Sequence, residues 1–253
     1  MIPLRGAFAV VMAAATAVVA LAQLNLPSNG FWQEPVAVGT QWASVSVMAA
    51  FILINEFRAV SHLAYVGRIR DYDLDLRATL SAVLCSVAEV TGANWDELTV
   101  CYYRQKGFWV WCRLVRAATV MLGAGGSATP PSLRPGEGLV GVAFVREELL
   151  AEEWASFVQT ATDQGPVAWK RRGEIARYGL KWGQLRSSSR DQGMIASPTF
   201  DHDGMATGCI LISGPLKLPD LVDPLMRRIL DDLATALSHV GSPPRGWWSA
   251  HER

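Results

Sequence analysis

Charge is scarce in this sequence. Charged residues make up 18% of the 253 residues, where a soluble protein carries about 25%. The 23 basic and 23 acidic side chains cancel. Zero net charge excludes a strongly basic nucleic-acid binder and an acidic disordered tail as descriptions of the whole chain. Cysteine is scarce too. Four cysteines are too few for a disulfide scaffold, and they show no C-x-x-C or zinc-ligand spacing. There is no Asn-x-Ser/Thr sequon and no internal repeat. No nucleophile motif stands out, and the four histidines (His62, His202, His239 and His251) do not assemble into a Ser/His/Asp set. No catalytic and no metal-binding residue is assigned.

The shortage of charge is concentrated at the start. No charged residue occurs from Gly6 to Gln33, and none from Pro35 to Asn55. Two apolar runs, residues 7–26 and 36–54, lie in those gaps. A bilayer core needs roughly 20 residues of helix, and both runs reach that length. Between them Pro27 and Pro35 end the helices, and Phe31 and Trp32 suit a headgroup position. The expectation is a transmembrane hairpin over residues 1–56. A second reading treats the first run as a cleaved signal peptide, with Arg5 as its basic start and Ala20-Leu21-Ala22 as a cleavage site, and the second run as a single anchor. A third is a buried helix pair of a soluble protein. Arg5 precedes the first span and Arg58, Arg68 and Arg70 follow the second. By the positive-inside rule both termini lie in the cytoplasm of a multi-pass protein of the cell membrane. Neither span carries an ionisable residue, so the pair reads as an anchor rather than a transport path.

Beyond Phe57 the pattern turns amphipathic. Leu63, Val66, Ile69, Tyr72, Leu76 and Leu80 recur at steps of three and four, a helical period. Residues 57–70 read as a stalk helix, and the stripe continues to a stop at Thr91-Gly92. Two strand-like runs follow at 98–103 and 108–115, with Arg104-Gln105-Lys106-Gly107 as a hairpin turn. Residues 123–135 are a loop rich in Gly, Ser and Pro. A short helix is expected over 138–145 and another over 147–162. Strands are expected at 194–200 and 206–213, joined by the turn Asp201-His202-Asp203-Gly204, and a final amphipathic helix over 221–240. This order predicts an α+β domain with a mostly antiparallel sheet.

Three places carry a resemblance to a known family. The first is the helix ending at Thr91-Gly92-Ala93 before the strand at Leu98. The second is Pro135-Gly136-Glu137-Gly138-Leu139-Val140-Gly141-Val142-Ala143. The third is Met194-Ile195-Ala196-Ser197-Pro198 with Asp203-Gly204 and Gly208-Cys209-Ile210-Leu211. With these, residues 71–240 resemble a GAF domain. The resemblance implies a sheet with the two terminal helices on one face and a ligand pocket on the other, in a small-molecule sensor or a dimerisation module. It does not name a ligand or cofactor. The Asn-Lys-Phe-Asp-Glu signature of cyclic-nucleotide GAF domains is missing. So is a Cys-His pair for bilin attachment, and the cysteine arrangement of free methionine sulfoxide reductases is not evident.

Several motifs have two readings. Gly136-Glu137-Gly138-Leu139-Val140-Gly141 matches G-x-G-x-x-G, yet no buried strand precedes it, so a tight turn into a short helix is preferred. A hairpin centred on Lys106-Gly107 sets Cys101 opposite Cys112, either as a redox pair or as small buried hydrophobes. His202 between two aspartates reads as a turn before it reads as a metal site. Residues 169–190 hold Lys170, Arg171, Arg172, Arg177, Lys181, Arg186 and Arg190, with Trp169, Tyr178 and Trp182 interleaved. This stretch is a lid over an anionic planar ligand, a contact for anionic lipid, or a solvated loop. Under the lid reading the ligand-binding residues are Trp169, Arg171, Arg172, Tyr178 and Trp182, with Trp111 from the hairpin. In the tail, 241–253, Trp247 and Trp248 are expected at the bilayer interface.

The reading is a membrane-tethered cytoplasmic sensor or scaffold, without chemistry of its own. Its partners are the bilayer, a small molecule, a second copy of the chain and a separate output protein, and no nucleic acid. One alternative is a membrane-acting effector whose hairpin is gated by the GAF-like domain. Another is a thiol-dependent reductase.

Overall fold

A computed structural model describes residues 2–24, 26, 28, 30, 34–107, 111–123, 130–187 and 192–248. The expected interfacial residues Phe31 and Trp32, the loop proline Pro27 and the basic residue Arg190 lie outside the described residues. The chain divides into two compact units, Met1–Arg68 and Ile69–Arg253.

The first unit holds helix α1 (Ile2–Gln23) and the start of helix α2 (Pro35–Thr91). Small residues supply its buried positions, Ala15, Ala22 and Ala37, where short side chains let helices approach closely. Val36, Leu53 and Phe57 are exposed. Among the described residues one helix, α2, is long and apolar enough to cross a bilayer, and Val11–Gln23 is a shorter apolar helix.

In the second unit the four-residue step of Tyr72, Leu76, Leu80 and Leu84, closed by Val87, puts one stripe of α2 in the core. The helix stops where Gly92 takes a φ of +66°, and its N–H closes on the Ala88 carbonyl at 2.8 Å. The sheet follows: β1 (Thr99–Lys106), β2 (Arg113–Met121), β3 (Ser132–Leu133), β4 (Leu150–Glu152), β5 (Gly193–Phe200) and β6 (Ala206–Gly214). Its order is β3-β2-β1-β6-β5-β4, and every pairing is antiparallel.

Strand alternation sends side chains to two faces. Val100, Tyr102, Ile195, Ile210 and Ile212 pack with α2 and with helix α7 (Pro224–Val240), through Met226, Leu230, Leu233 and Leu237. Cys101, Tyr103, Met194, Ala196 and Leu211 pack on the other face. There they meet α3 (Gly138–Arg146), α4 (Trp154–Arg171) and α5 (Trp182–Ser187). The terminal helices on one face agree with what the GAF resemblance implies. The other face, where the resemblance implies a ligand pocket, carries the helical layer of α3, α4 and α5, and a groove lined by Tyr102 and Arg104 lies instead on the terminal-helix face. The second unit is an α+β domain with a GAF-like fold.

Several boundaries differ from expectation. The β1–β2 loop is longer than a tight hairpin. Lys106 pairs with Arg113, and Cys101 faces Thr119 rather than Cys112. The Cys101 Sγ lies 3.4 Å from the Thr119 hydroxyl, so Cys101 and Cys112 are not a cross-strand pair. The Ser132–Leu133 segment of the expected loop is an edge strand. The expected helix over 147–162 begins as β4, and α4 then runs to Arg171 across a kink at Gly165-Pro166, since proline cannot donate within a helix. The last helix is divided. A short turn, α6 (Leu218–Leu221), precedes α7, which Asp223 caps by accepting from the Leu225 N–H at 2.7 Å.

Trp247 is also not an interfacial residue. It is fully buried in the core beside α2 and α7, edge-on to Tyr72 with ring centroids 5.5 Å apart. Its indole N–H donates to the Asp73 carboxylate at 2.6 Å. Trp248 packs against it at 4.8 Å, with the Lys106 ammonium 5.4 Å from the Trp248 ring centroid. A buried slot with a hydrogen-bond acceptor serves an indole better than a headgroup layer, because it satisfies both the ring and its N–H.

Candidate functional site

Two regions of the second unit gather polar and aromatic side chains, one on each face of the sheet. The first is the expected lid. The kink at Gly165 turns α4 so that Trp154, Phe157 and Trp169 share one layer with Tyr178 and Trp182. Centroid separations are 5.1 Å for Trp154–Phe157, 5.8 Å for Phe157–Trp169, 5.3 Å for Phe157–Tyr178 and 6.2 Å for Trp169–Trp182, the range of attractive ring contacts. Trp169 is fully buried and donates from Nε1 to the Leu180 carbonyl at 3.2 Å. The Tyr178 hydroxyl donates to Glu152 at 2.5 Å. Burial, and then the hydrogen bond to Glu152, hold the Tyr178 phenol well above its ordinary value. The Arg172 guanidinium lies 5.4 Å from the Trp169 ring centroid and 6.0 Å from that of Phe157, and donates to Gln164 at 2.6 Å.

Four of the six sequence-predicted residues, Trp169, Arg172, Tyr178 and Trp182, are therefore together. Arg171 is exposed, and Trp111 is 83% exposed on the β1–β2 loop. The rings pack on one another, and the Trp169 N–H and the Tyr178 hydroxyl are hydrogen-bonded to Leu180 and Glu152, while Arg172 makes one side-chain hydrogen bond among the described residues, to Gln164.

The second region lies on the other face, where the end of α7 meets β1 and the β5–β6 turn. A half-open groove of about 590 Å³ is lined by Tyr102, Arg104, Thr199, Asp201, Thr235 and Ser238, among others. Its volume falls within the roughly 300–1,000 Å³ of small-molecule sites. Arg104 is placed by its pairing with Gly208 of β6. There is no room for a side chain at Gly208, because a Cβ would stand 2.4 Å from the Tyr103 carbonyl and 2.9 Å from the Thr199 hydroxyl. The Arg104 Nη1 donates to the Gly241 carbonyl at 2.7 Å and to the Tyr72 hydroxyl at 3.4 Å, and Nη2 donates to the Ser242 hydroxyl at 3.1 Å. Burial is the main influence on Tyr72 and pushes its phenol above the ordinary value, partly offset by Arg104.

Thr199 sits at the bulge that ends the β5–β6 ladder. It is 3% exposed, and its hydroxyl has no hydrogen-bond partner among the described residues. Asp201 shapes the turn: its Oδ1 accepts from the N–H of Asp203 at 3.0 Å and of Met205 at 2.9 Å. His202 is exposed beside Asp203. Sequence reasoning identified this turn but missed the groove. The sequence pattern places Arg104 in a turn, whereas the observed register puts it inside β1.

No family model matches the chain, and no curated protein does. Solved structures do. The chain is similar to the GAF domain region of a Geobacter sulfurreducens protein at 17% identity and a TM-score of 0.43, over 68% of this chain and 98% of that one. It is similar to an NreA protein of Staphylococcus aureus mutated in its nitrate binding site, at 15% identity and 0.40, over 66% and 97%. It is also similar to a type II free methionine-R-sulfoxide reductase of Thermoplasma acidophilum, at 15% and 0.39, over 65% and 95%.

Proposed function

We propose that this protein is a membrane-tethered sensor or scaffold that reads a small molecule or a partner through its GAF-like unit and has no catalytic chemistry of its own. One observation carries the reading. A single helix, α2, contains both an apolar stretch that is barely buried and the residues Leu76, Leu80 and Leu84 that anchor one face of the sheet. An event that changes how the sheet holds Leu80 acts on the same helix that carries the apolar stretch. The response can be only as large as the ligand's difference in affinity for the two states.

Two of the four cysteines, Cys101 and Cys209, are placed away from thiol chemistry. Burial holds the Cys209 thiol above its ordinary value, away from the reactive thiolate, and Cys101 is buried against Thr119. The exposed side chains Leu74 and Leu225 supply apolar surface for a second copy or an output protein, and the placement of Arg5, Arg58, Arg68 and Arg70 supports both termini lying in the cytoplasm.

Purification of the full chain from membranes in mild detergent, followed by native mass spectrometry, tests the reading. The expected result is a dimer that retains a stoichiometric small molecule or an accompanying protein. A bare monomer, or steady turnover of a sulfoxide or disulfide substrate by the purified chain, overturns it.

A further inference from the structure

We infer that the groove beside the end of α7 binds a small amino carboxylate, with its carboxylate on Arg104 and Thr199 and its ammonium group on Asp201. The inference deepens the sensing reading above by naming the ligand class and the site.

Three observations carry it. The first is Thr199, a groove-lining residue that is almost fully buried and whose hydroxyl has no hydrogen-bond partner among the described residues. A buried hydroxyl without a partner costs free energy in the unliganded fold, and a turn of the Thr199 side chain that brings its hydroxyl to a ligand oxygen in the groove removes that cost. The second is Arg104. A guanidinium has five N–H donors, and three hydrogen bonds are made, to Gly241, Tyr72 and Ser242. Nε and one Nη2 proton make none among the described residues. These contacts hold the side chain in place, so its remaining donors are ordered in advance for an anionic oxygen. The third is Asp201. Its Oδ1 is committed to two backbone N–H groups of the turn, which leaves Oδ2 as a charged acceptor.

Arg104 and Asp201 line one groove and form no ion pair with each other among the described residues. A plain anion would meet Arg104 but be repelled by Asp201. A plain amine would meet Asp201 but leave Arg104 and Thr199 unused. A molecule with both charges uses all three. The hydroxyls of Thr235 and Ser238 donate to the carbonyls of Asp231 and Thr235, so toward the groove they act as further acceptors for an ammonium group.

The test uses the full chain in detergent micelles, titrated calorimetrically with the common amino acids. Each hit is compared with its decarboxylated amine and its deaminated acid. The expected result is saturable binding of at least one amino acid, weakened about tenfold or more by removing either charged group. Thr199→Val removes the hydroxyl without changing the shape. It should weaken binding about tenfold while the thermal midpoint stays the same or rises. Asp201→Asn keeps the turn acceptor and should weaken the amino acid but not its deaminated acid. Binding of no amino acid, equal binding of the deaminated acid, or wild-type affinity in both variants overturns the inference. Loss of binding here leaves the dimer and its attachment to membranes untouched, so failure of the site and failure of the sensing reading are separable.

Discussion

The indole N–H of Trp247 donates to the carboxylate of Asp73 at 2.6 Å, across 174 positions of sequence. This bond ties the chain after α7 to the outset of the core stripe of α2. Trp247→Phe keeps much of the ring volume and removes the donor. It should lower unfolding stability by about 1–3 kcal/mol, the cost of leaving a charged acceptor short of a partner. Trp247→Ala should cost about 3–5 kcal/mol. Urea denaturation followed by circular dichroism measures both, and equal, negligible losses would show that the tail is not part of the core.

Tyr178 makes stability fall in alkali. Burial and Glu152 raise its folded pKa above the ordinary value near 10. Below pH 10 the phenol is neutral in both states, and its full contribution is present. As pH rises past 10 the unfolded chain loses the proton first, so it binds fewer protons than the native state and stability declines toward the folded pKa. Tyr178→Phe should flatten that decline. Thermal midpoints between pH 8 and 11 give the comparison, and parallel slopes for both proteins would contradict the placement of Tyr178.

Much of this fold was legible in the sequence, because its elements follow simple periods. The four-residue step from Tyr72 to Leu84 and the stop at Gly92 gave α2 its core face and its end. The Asp201–Gly204 turn gave the last hairpin. What was not legible depended on contacts distant in sequence. The β1–β2 register hangs on a loop rather than a tight turn, so the opposition of Cys101 and Cys112 failed and Arg104 was hidden as a turn residue. Trp247 reads as interfacial until Asp73 is seen beside it. The lid residues Trp169, Tyr178 and Trp182 were found from composition, but the sequence does not reveal that their rings pack on one another.

Thiol labelling separates the four cysteines. Cys85 is exposed, Cys112 half-buried, and Cys101 and Cys209 buried. Maleimide modification of the native chain read by peptide mass spectrometry should reach Cys85 first and Cys101 and Cys209 only on unfolding. Mild oxidation should yield no Cys101–Cys112 bridge. Rapid formation of that bridge would contradict the register in which Cys101 faces Thr119.

Gly179 is a sensitive backbone position in the lid. Its φ is +61°, and a Cβ there would stand 2.3 Å from the Gly136 carbonyl. The adjacent N–H of Gly138 donates to the Tyr178 carbonyl at 2.7 Å. Gly179→Ala should cost at least about 1–3 kcal/mol and increase proteolysis near residues 175–180. An unchanged midpoint and cleavage pattern would show that Gly136 and Gly179 do not meet.

Membrane tethering is the central claim, and alkaline carbonate extraction of cells expressing the full chain tests it most directly. The chain should stay with the lipid pellet after extraction. Ala49→Arg with Ile52→Arg places two charges in the 36–54 stretch, each costing about 2.5–3.5 kcal/mol at mid-bilayer, and should release it to the supernatant. Recovery of the unmodified chain in the supernatant would contradict the account.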